Sequence, residues 1–331
     1  MNRIYLDHNA TTPLRDEARA AMLTAMELAG NPSSVHGEGR AGRALVERAR
    51  AQVAAAIGCN TNEVVFTSGA TEAARVLAAG AEVDPTAHDC LWAHHSEGEA
   101  LRAAGYANNE TGIVTDSTGA QLLDVVQAIG KVPFSFSWSG ADLAIVSAHK
   151  FGGPKGVGAL IVRDGIEISA LASGGGQEQG RRAGTENIVG IAGMGAAAEA
   201  AVADLADGHW ARVEALRNTL ETALKTAAPE IVIFGHDKKR LPNTSNFAIP
   251  GWKGETQVMQ MDLAGFAVSA GSACSSGKVR PSRVLQAMGY DDVTASSALR
   301  VSLGLKTTEN DIARFCDAWL AEYKRFKARA A

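Results

Sequence analysis

No apolar run among the 331 residues approaches the ~18–20 needed to span a bilayer, and the opening MNRIYLDHNATTP has no apolar signal-peptide core. Neither a membrane partner nor export is expected, and a cytoplasmic location is. Cysteine is scarce: Cys59, Cys90, Cys274 and Cys316 stand far apart, with no CxxC pair. That excludes a disulfide framework and fits a reducing compartment, where a thiol is either packing or chemically employed. An excess of one charge is missing too. Thirty-two basic residues face thirty-six acidic ones, a formal charge of −4, which advertises no polyanionic partner such as nucleic acid. Residues 152–156 lack the GxxxxGK[ST] phosphate loop, and Gly174, Gly175, Gly176 and Gly180 build no GxGxxG after a strand. No internal repeat is visible. What remains is a globular composition, 46% hydrophobic and 21% charged, with chain enough for one large or two medium domains.

The patterns that are present read as α/β. Residues 4–7 suggest a short strand before a polar turn. In 38–57, Leu45, Ala49, Val53 and Ile57 recur at helical spacing, with Gly58 as the stop. Residues 64–67 read as a buried strand running through Ser68-Gly69-Ala70-Thr71-Glu72 into a second helix. In that strand, glycine turn, helix order, helix starts collect anions. Further strands are predicted at 141–146, 158–162 and 230–234. Helices are predicted at about 186–205, 210–227 and 308–328. The polar break Asp207-Gly208-His209 marks a domain boundary. The stretch 74–124 carries few signals, and 79–86 and 110–121 read as loops.

Three groups could carry chemistry. Lys150 follows a predicted strand and precedes a glycine-rich turn, where it could be held against a cofactor and desolvated into a nucleophile. Asp124 lies upstream, with Gln127 three positions on. A buried carboxylate can keep a pyridine nitrogen protonated, the condition for pyridoxal phosphate to act as an electron sink. Cys274 sits among small residues, Ser269-Ala270-Gly271-Ser272-Ala273 before it and Ser275-Ser276-Gly277 after it, as suits an exposed nucleophilic thiolate. Cys59 and Cys316 fall near helical stretches and read as packing. Cys90 lies close to His88, His94 and His95, but this spacing matches no established ligand set, and no metal is expected.

Ten stretches together carry a resemblance: YLDHNATTP (5–13), GNPSSVH (30–36), VVFTSGATEA (64–73), ANNETG (107–112), DVVQAIGK (124–131), ADLAIVSAHKFGGPKGVGAL (141–160), GGGQEQGRRAGTENIVG (174–190), LPNTSNF (241–247), VSAGSACSSG (268–277) and SSALRVSLG (296–304). In this order they resemble the cysteine desulfurases of the NifS/IscS type, class V aminotransferase-like enzymes of pyridoxal-phosphate fold type I. The resemblance implies an α/β fold with a mixed, mostly parallel sheet in a large domain, 13–207. A smaller α+β domain would comprise 1–12 with 208–331. It implies that Lys150 binds pyridoxal 5'-phosphate covalently, that Asp124 pairs with its pyridine nitrogen and that Gln127 reaches its phenolic oxygen. Ala70, Thr71, Ser147 and His149 would hold the phosphate, with Thr185 lent by the neighbouring subunit of a homodimer. Asn109 and Arg300 would grip the substrate carboxylate, for which a guanidinium fork is suited. His88, rather than His94 or His95, would stack on the ring. Cys274 would take sulfur from L-cysteine as a persulfide, leaving alanine and passing the sulfur to an acceptor protein.

Against that family the stretch between Thr71 and Asp124 is short by several dozen residues. Sheet-covering elements there are expected to be lost or replaced by loops, uncovering surface that a partner or second subunit covers. Two rival readings follow: another pyridoxal-phosphate reaction, such as selenocysteine lysis or transamination, and a non-catalytic scaffold in sulfur assembly. The thiol loop argues against the first, the intact Lys150, Asp124, Gln127, Arg300 and Cys274 against the second.

Overall fold

In the computed structural model, which describes residues 3–271 and 281–330, the apolar stretch 141–146 becomes the strand Leu143–Ser147, buried along its whole length. It lies inside a six-stranded sheet in the order Val64–Thr67, Gly158–Val162, Leu143–Ser147, Leu122–Asp124, Arg102–Gly105, Glu82–Val83. Gly158–Val162 runs antiparallel to both its neighbours, and the other pairings are parallel. Strands buried on both faces read as continuous apolar runs. Alternation still decides the face: Ala144 and Val146 join one core, and Leu143 and Ile145 the other.

The first of those cores packs against Asp16–Met26, Gly37–Ile57 and Ile188–Ala206. Gly58 closes the second helix in the left-handed region at φ 71°, as its sequence position predicts. Among the described residues, Ile188–Ala206 is long and apolar enough to cross a bilayer by length and composition, which a search for unbroken apolar runs does not bring out. Half of its apolar window is buried within this unit. A Cβ at Gly195 would lie 2.7 Å from Ala49 Cα, so glycine lets this helix press onto its neighbour. Its apolarity is that of a core helix.

The opposite face carries little helix. The helix expected after residue 68 is the single turn Ala70–Ala73 followed by the 3-10 turn Ala74–Leu77, and Asp89–Trp92 is one turn as well. Residues 79–86, expected as a loop, contain Glu82–Val83, an edge strand paired in parallel with Arg102–Gly105. The stretch 74–124 thus consists of short strands joined by single helical turns.

This sheet and its helices form one compact unit, Thr11–Ala107 with Thr115–Asp207; the other is Met1–Ala10, Asn108–Val114 and Gly208–Ala331. The expected division assigned 108–114 to the large domain, and the structure corrects it. Val114 N donates to Lys239 O, Leu241 N donates to Gly112 O, and Ile113 bridges Arg240, so backbone hydrogen bonds carry this stretch into the smaller unit. That unit holds a four-stranded antiparallel sheet in the order Ser269–Ala270, Ala298–Ser302, Thr244–Ala248, Val232–Ile233. The helices His209–Ala227 and Glu309–Ala330 pack together beside it.

Candidate active site

Strand alternation builds the first group of residues. Leu122 belongs to the core on the helix-poor face, so Asp124, two residues on, points the same way; so does Ser147 after Leu143 and Ile145. Both stand at the carboxyl ends of neighbouring parallel strands, where α/β sheets bind ligands. Asp124 is buried, and its Oδ1 accepts from Val126 N at 2.9 Å. Burial pushes its carboxyl above the usual range, while the charges of His88 and Lys150 and the Val126 N–H pull the other way.

The turn Asp89–Trp92 brings His88 to that carboxylate. His88 Nδ1 accepts from Cys90 N at 3.1 Å, which caps the turn and assigns the ring proton to Nε2. Ligand atoms of His88, Cys90 and Asp124 all lie within 4.8 Å of one another. His95 is engaged elsewhere, stacked on Trp92 at 4.3 Å and accepting from Val83 N. The structure therefore brings His88 to Asp124, and Cys90 with it. Nothing in the sequence spacing signals the approach of Cys90, whose thiol burial pushes up. These three donors form a set that could also take a soft divalent cation.

Lys150 ends the 3-10 turn Ala148–Lys150 after the strand. Its carbonyl accepts from Thr12 Oγ1 at 3.0 Å, and His149 Nδ1 meets Thr11 Oγ1 at 3.1 Å. Burial and the positive charges of Lys150, Lys155 and Lys131 hold His149 down to about 4, so it is a neutral hydrogen-bonding group at neutral pH. Gln127 is buried, and its Oε1 accepts from Lys131 Nζ at 2.7 Å. That fixes which end of the amide donates. Lys131, itself buried, was missed as a site residue, although its i, i+4 spacing to Gln127 was readable.

Ala70 and Thr71 open the turn after Gly69, where a Cβ would lie 3.9 Å from Ser147 Oγ. Amides at the start of a turn, a hydroxyl and a neutral imidazole are a donor set suited to a phosphate. With Lys150, a buried carboxylate on the same sheet face and a histidine, they fit pyridoxal 5'-phosphate in donor chemistry. Thr185 is exposed on this chain. Its neighbour Gly184 donates to Gln177 Oε1 at 3.2 Å.

The smaller unit positions Arg300. Only 3% exposed, it donates from Nη2 to Asp7 Oδ1 at 2.9 Å and from Nη1 to Asn109 O at 3.1 Å. Its Nε is buried without a partner among the described residues. A buried orphan donor on a braced guanidinium is a place for an acceptor such as a carboxylate. Asp7, itself accepting from Ser269 Oγ at 2.8 Å, is a second residue overlooked in the sequence. Asn109 contributes its backbone carbonyl to this brace, and Asn9 Nδ2 donates to the same carbonyl at 3.1 Å. Cys274 lies outside the described residues. Burial pushes Cys59 up to about 12 and Cys316 to about 11, which suits packing rather than nucleophilic work.

A model of the aminotransferase class-V family matches residues 4–115 and 106–315. A cysteine desulfurase of Cereibacter sphaeroides is 39% identical over 370 residues, covering 96% of this chain and 95% of the relative. The cysteine desulfurase IscS of Dictyoglomus turgidum is 36% identical over 364 residues, covering 93% and 91%. Both alignments are longer than the chain itself, so the relatives carry residues that it lacks. Among solved structures, a NifS-like protein matches with a TM-score of 0.88 at 30% identity over 97% of this chain and 99% of its own. Another, from Rickettsia africae, matches with a TM-score of 0.87 at 29% identity, covering 98% and 100%.

Proposed function

The chain belongs to the aminotransferase class-V family, and on that footing we propose that it is a cysteine desulfurase, converting L-cysteine to L-alanine. The observation that carries this reading is a buried Asp124 at the carboxyl end of the sheet, with His88 within 4.8 Å of it and Lys150 following the neighbouring strand. Pyridoxal 5'-phosphate, when bound, supplies an electron sink that acidifies the substrate Cα. Lys150 would hold it covalently, Asp124 and Gln127 through its ring, and Ala70, Thr71, Ser147 and His149 through its phosphate.

The chain's own residues then do the following. Arg300 binds the substrate carboxylate, its other nitrogens held by Asp7 and the Asn109 carbonyl. Lys150 Nζ, freed once the substrate amine takes its place, takes the proton from Cα. Asp124 keeps the pyridine nitrogen protonated and stays anionic as it does so. The Cys274 thiolate attacks the substrate sulfur: an S–S bond forms, the Cβ–S bond breaks, its electron pair stays on Cβ, which takes a proton, and Lys150 Nζ returns a proton to Cα. The products are alanine and a persulfide on Cys274, and no external oxidant enters the balance. Thr185, exposed on this chain, is offered to the phosphate of a second copy, which makes the working unit a homodimer. The persulfide is destined for an acceptor protein, an iron–sulfur scaffold or a thiolation enzyme.

Cys274→Ser supplies the test. It is expected to leave a yellow, cofactor-bound protein that forms no persulfide. Desulfuration surviving that change contradicts the mechanism, and a colourless, inactive wild type favours the scaffold reading.

A further inference from the structure

A buried carboxylate persists where hydrogen bonds meet its oxygens. Glu110, 7% exposed, is such a group, and its position in the smaller unit is unusual. Its Oε2 accepts from Ser282 Oγ at 2.5 Å. Ser282 Oγ in turn accepts from Leu285 N at 3.1 Å and so caps the turn Arg283–Ala287. Beside it, a Cβ at Gly271 would lie 3.0 Å from the same Oε2 and 3.3 Å from Ser282 Cβ. Gly271 directly follows Ser269–Ala270, which pairs with Ala298–Ser302. In the sequence, Gly271 and Ser282 flank the stretch that contains Cys274. One flank is therefore hydrogen-bonded to this carboxylate oxygen and the other passes close beside it with little room for a side chain, each mounted on regular structure.

The peptide that carries Glu110 is held with equal care. Asn246 Nδ2 donates to Glu110 O at 3.1 Å, and Asn108 Oδ1 accepts from Glu110 N and Thr111 N at 2.9 Å each. The adjacent carbonyl, that of Asn109, is the one that braces Arg300. Residues 108–111 thus join the guanidinium to the two flanks of the Cys274 stretch.

We propose that Glu110 is a positioning residue that, through Ser282 and against Gly271, sets the separation of these two flanks and with it the reach of the Cys274 thiol. The inference rests on the desulfurase reading for its consequence but not for its geometry. Misplacing a reacting group by about 1 Å can cost on the order of 100-fold in rate. The role belongs to the carboxylate as a hydrogen-bond acceptor, so a glutamine, which keeps an acceptor oxygen, preserves it.

The test uses the cofactor-loaded full chain and the variants E110A, E110Q, S282A and G271A, with Y323F as a remote control that removes the hydrogen bond to Glu230. Single-turnover formation of the Cys274 persulfide is followed beside the absorbance change on mixing with L-cysteine. E110A, S282A and G271A are expected to slow persulfide formation about 10- to 100-fold with the absorbance change unaltered. E110Q is expected to recover most of the rate, and Y323F to match the wild type. Equal slowing of both signals, or no slowing, overturns the proposal. If E110A fails to fold, S282A and G271A decide.

Alkylation of Cys274 by iodoacetamide, mapped by peptide mass, is measured in parallel and does not depend on turnover. It is expected to rise in E110A and stay at the wild-type rate in E110Q. If E110Q behaves like E110A, charge rather than the hydrogen bond is responsible, and the proposal is wrong. A wild type that alkylates as expected but forms no persulfide overturns the desulfurase reading instead.

Discussion

Buried groups in this chain sort into two kinds by their partners. Arg300 has Asp7 and the Asn109 carbonyl for two nitrogens and an orphan Nε; Asp124 has one backbone amide at Oδ1 and the nearby charges of His88 and Lys150. Arg300 keeps one donor unmet among the described residues, Asp124 is a buried carboxylate beside cationic groups, and each is where the mechanism places a substrate or cofactor group. Asp124→Asn keeps the shape and removes the charge that holds a proton on a pyridine nitrogen. The variant is expected to retain bound cofactor and lose alanine formation by on the order of 10²–10³-fold. Alanine release at saturating cysteine checks this, and a loss of less than threefold would sink the role.

At the scale of elements, the stretch 177–185 is held by more than its own sequence. Glu178 and Gln179 adopt left-handed backbone at φ 49° and 58°. Such strain persists only where surroundings impose it. Arg50 supplies the restraint: its guanidinium meets both oxygens of Glu178 at 2.8 Å and donates to Val64 O at 2.7 Å, and Glu178 Oε2 also accepts from Phe66 N. Arg50→Met leaves a buried carboxylate unpaired and is expected to cost about 3–5 kcal/mol of stability. Urea unfolding measures it, and a cost under about 1 kcal/mol would contradict the strut. The long helices and the buried strands were legible because period and burial agree over many residues. Between 74 and 124 the elements are too short to show a period: one-turn helices and the two-residue strand Glu82–Val83 exist through pairing with distant chain. For the same reason the motif residues of the site were readable, whereas Asp7 and the bridge from Glu110 to Ser282 were not. Their meaning lies in which neighbours the fold gives them.

For the molecule as a whole, the two faces of the larger sheet are unequally covered: long helices lie on one, and single turns on the other. Asp124 and Ser147 end neighbouring strands, Lys150 ends the turn that follows, and the face on which Asp124 opens is the one that carries only single helical turns. The smaller unit, which carries Arg300 and both flanks of the Cys274 stretch, retains its sheet and its two long helices. The scarcity of cysteine gains a meaning here, since desolvation pushes the Cys59, Cys90 and Cys316 thiols up and leaves Cys274 as the candidate nucleophile. The most direct measurement is the mass of the Cys274 peptide after one turnover of the cofactor-loaded protein with L-cysteine. One added sulfur atom on Cys274, matched by one alanine per chain, is the predicted result; alanine formed with Cys274 unmodified and no persulfide elsewhere, or no alanine at all, would contradict the account.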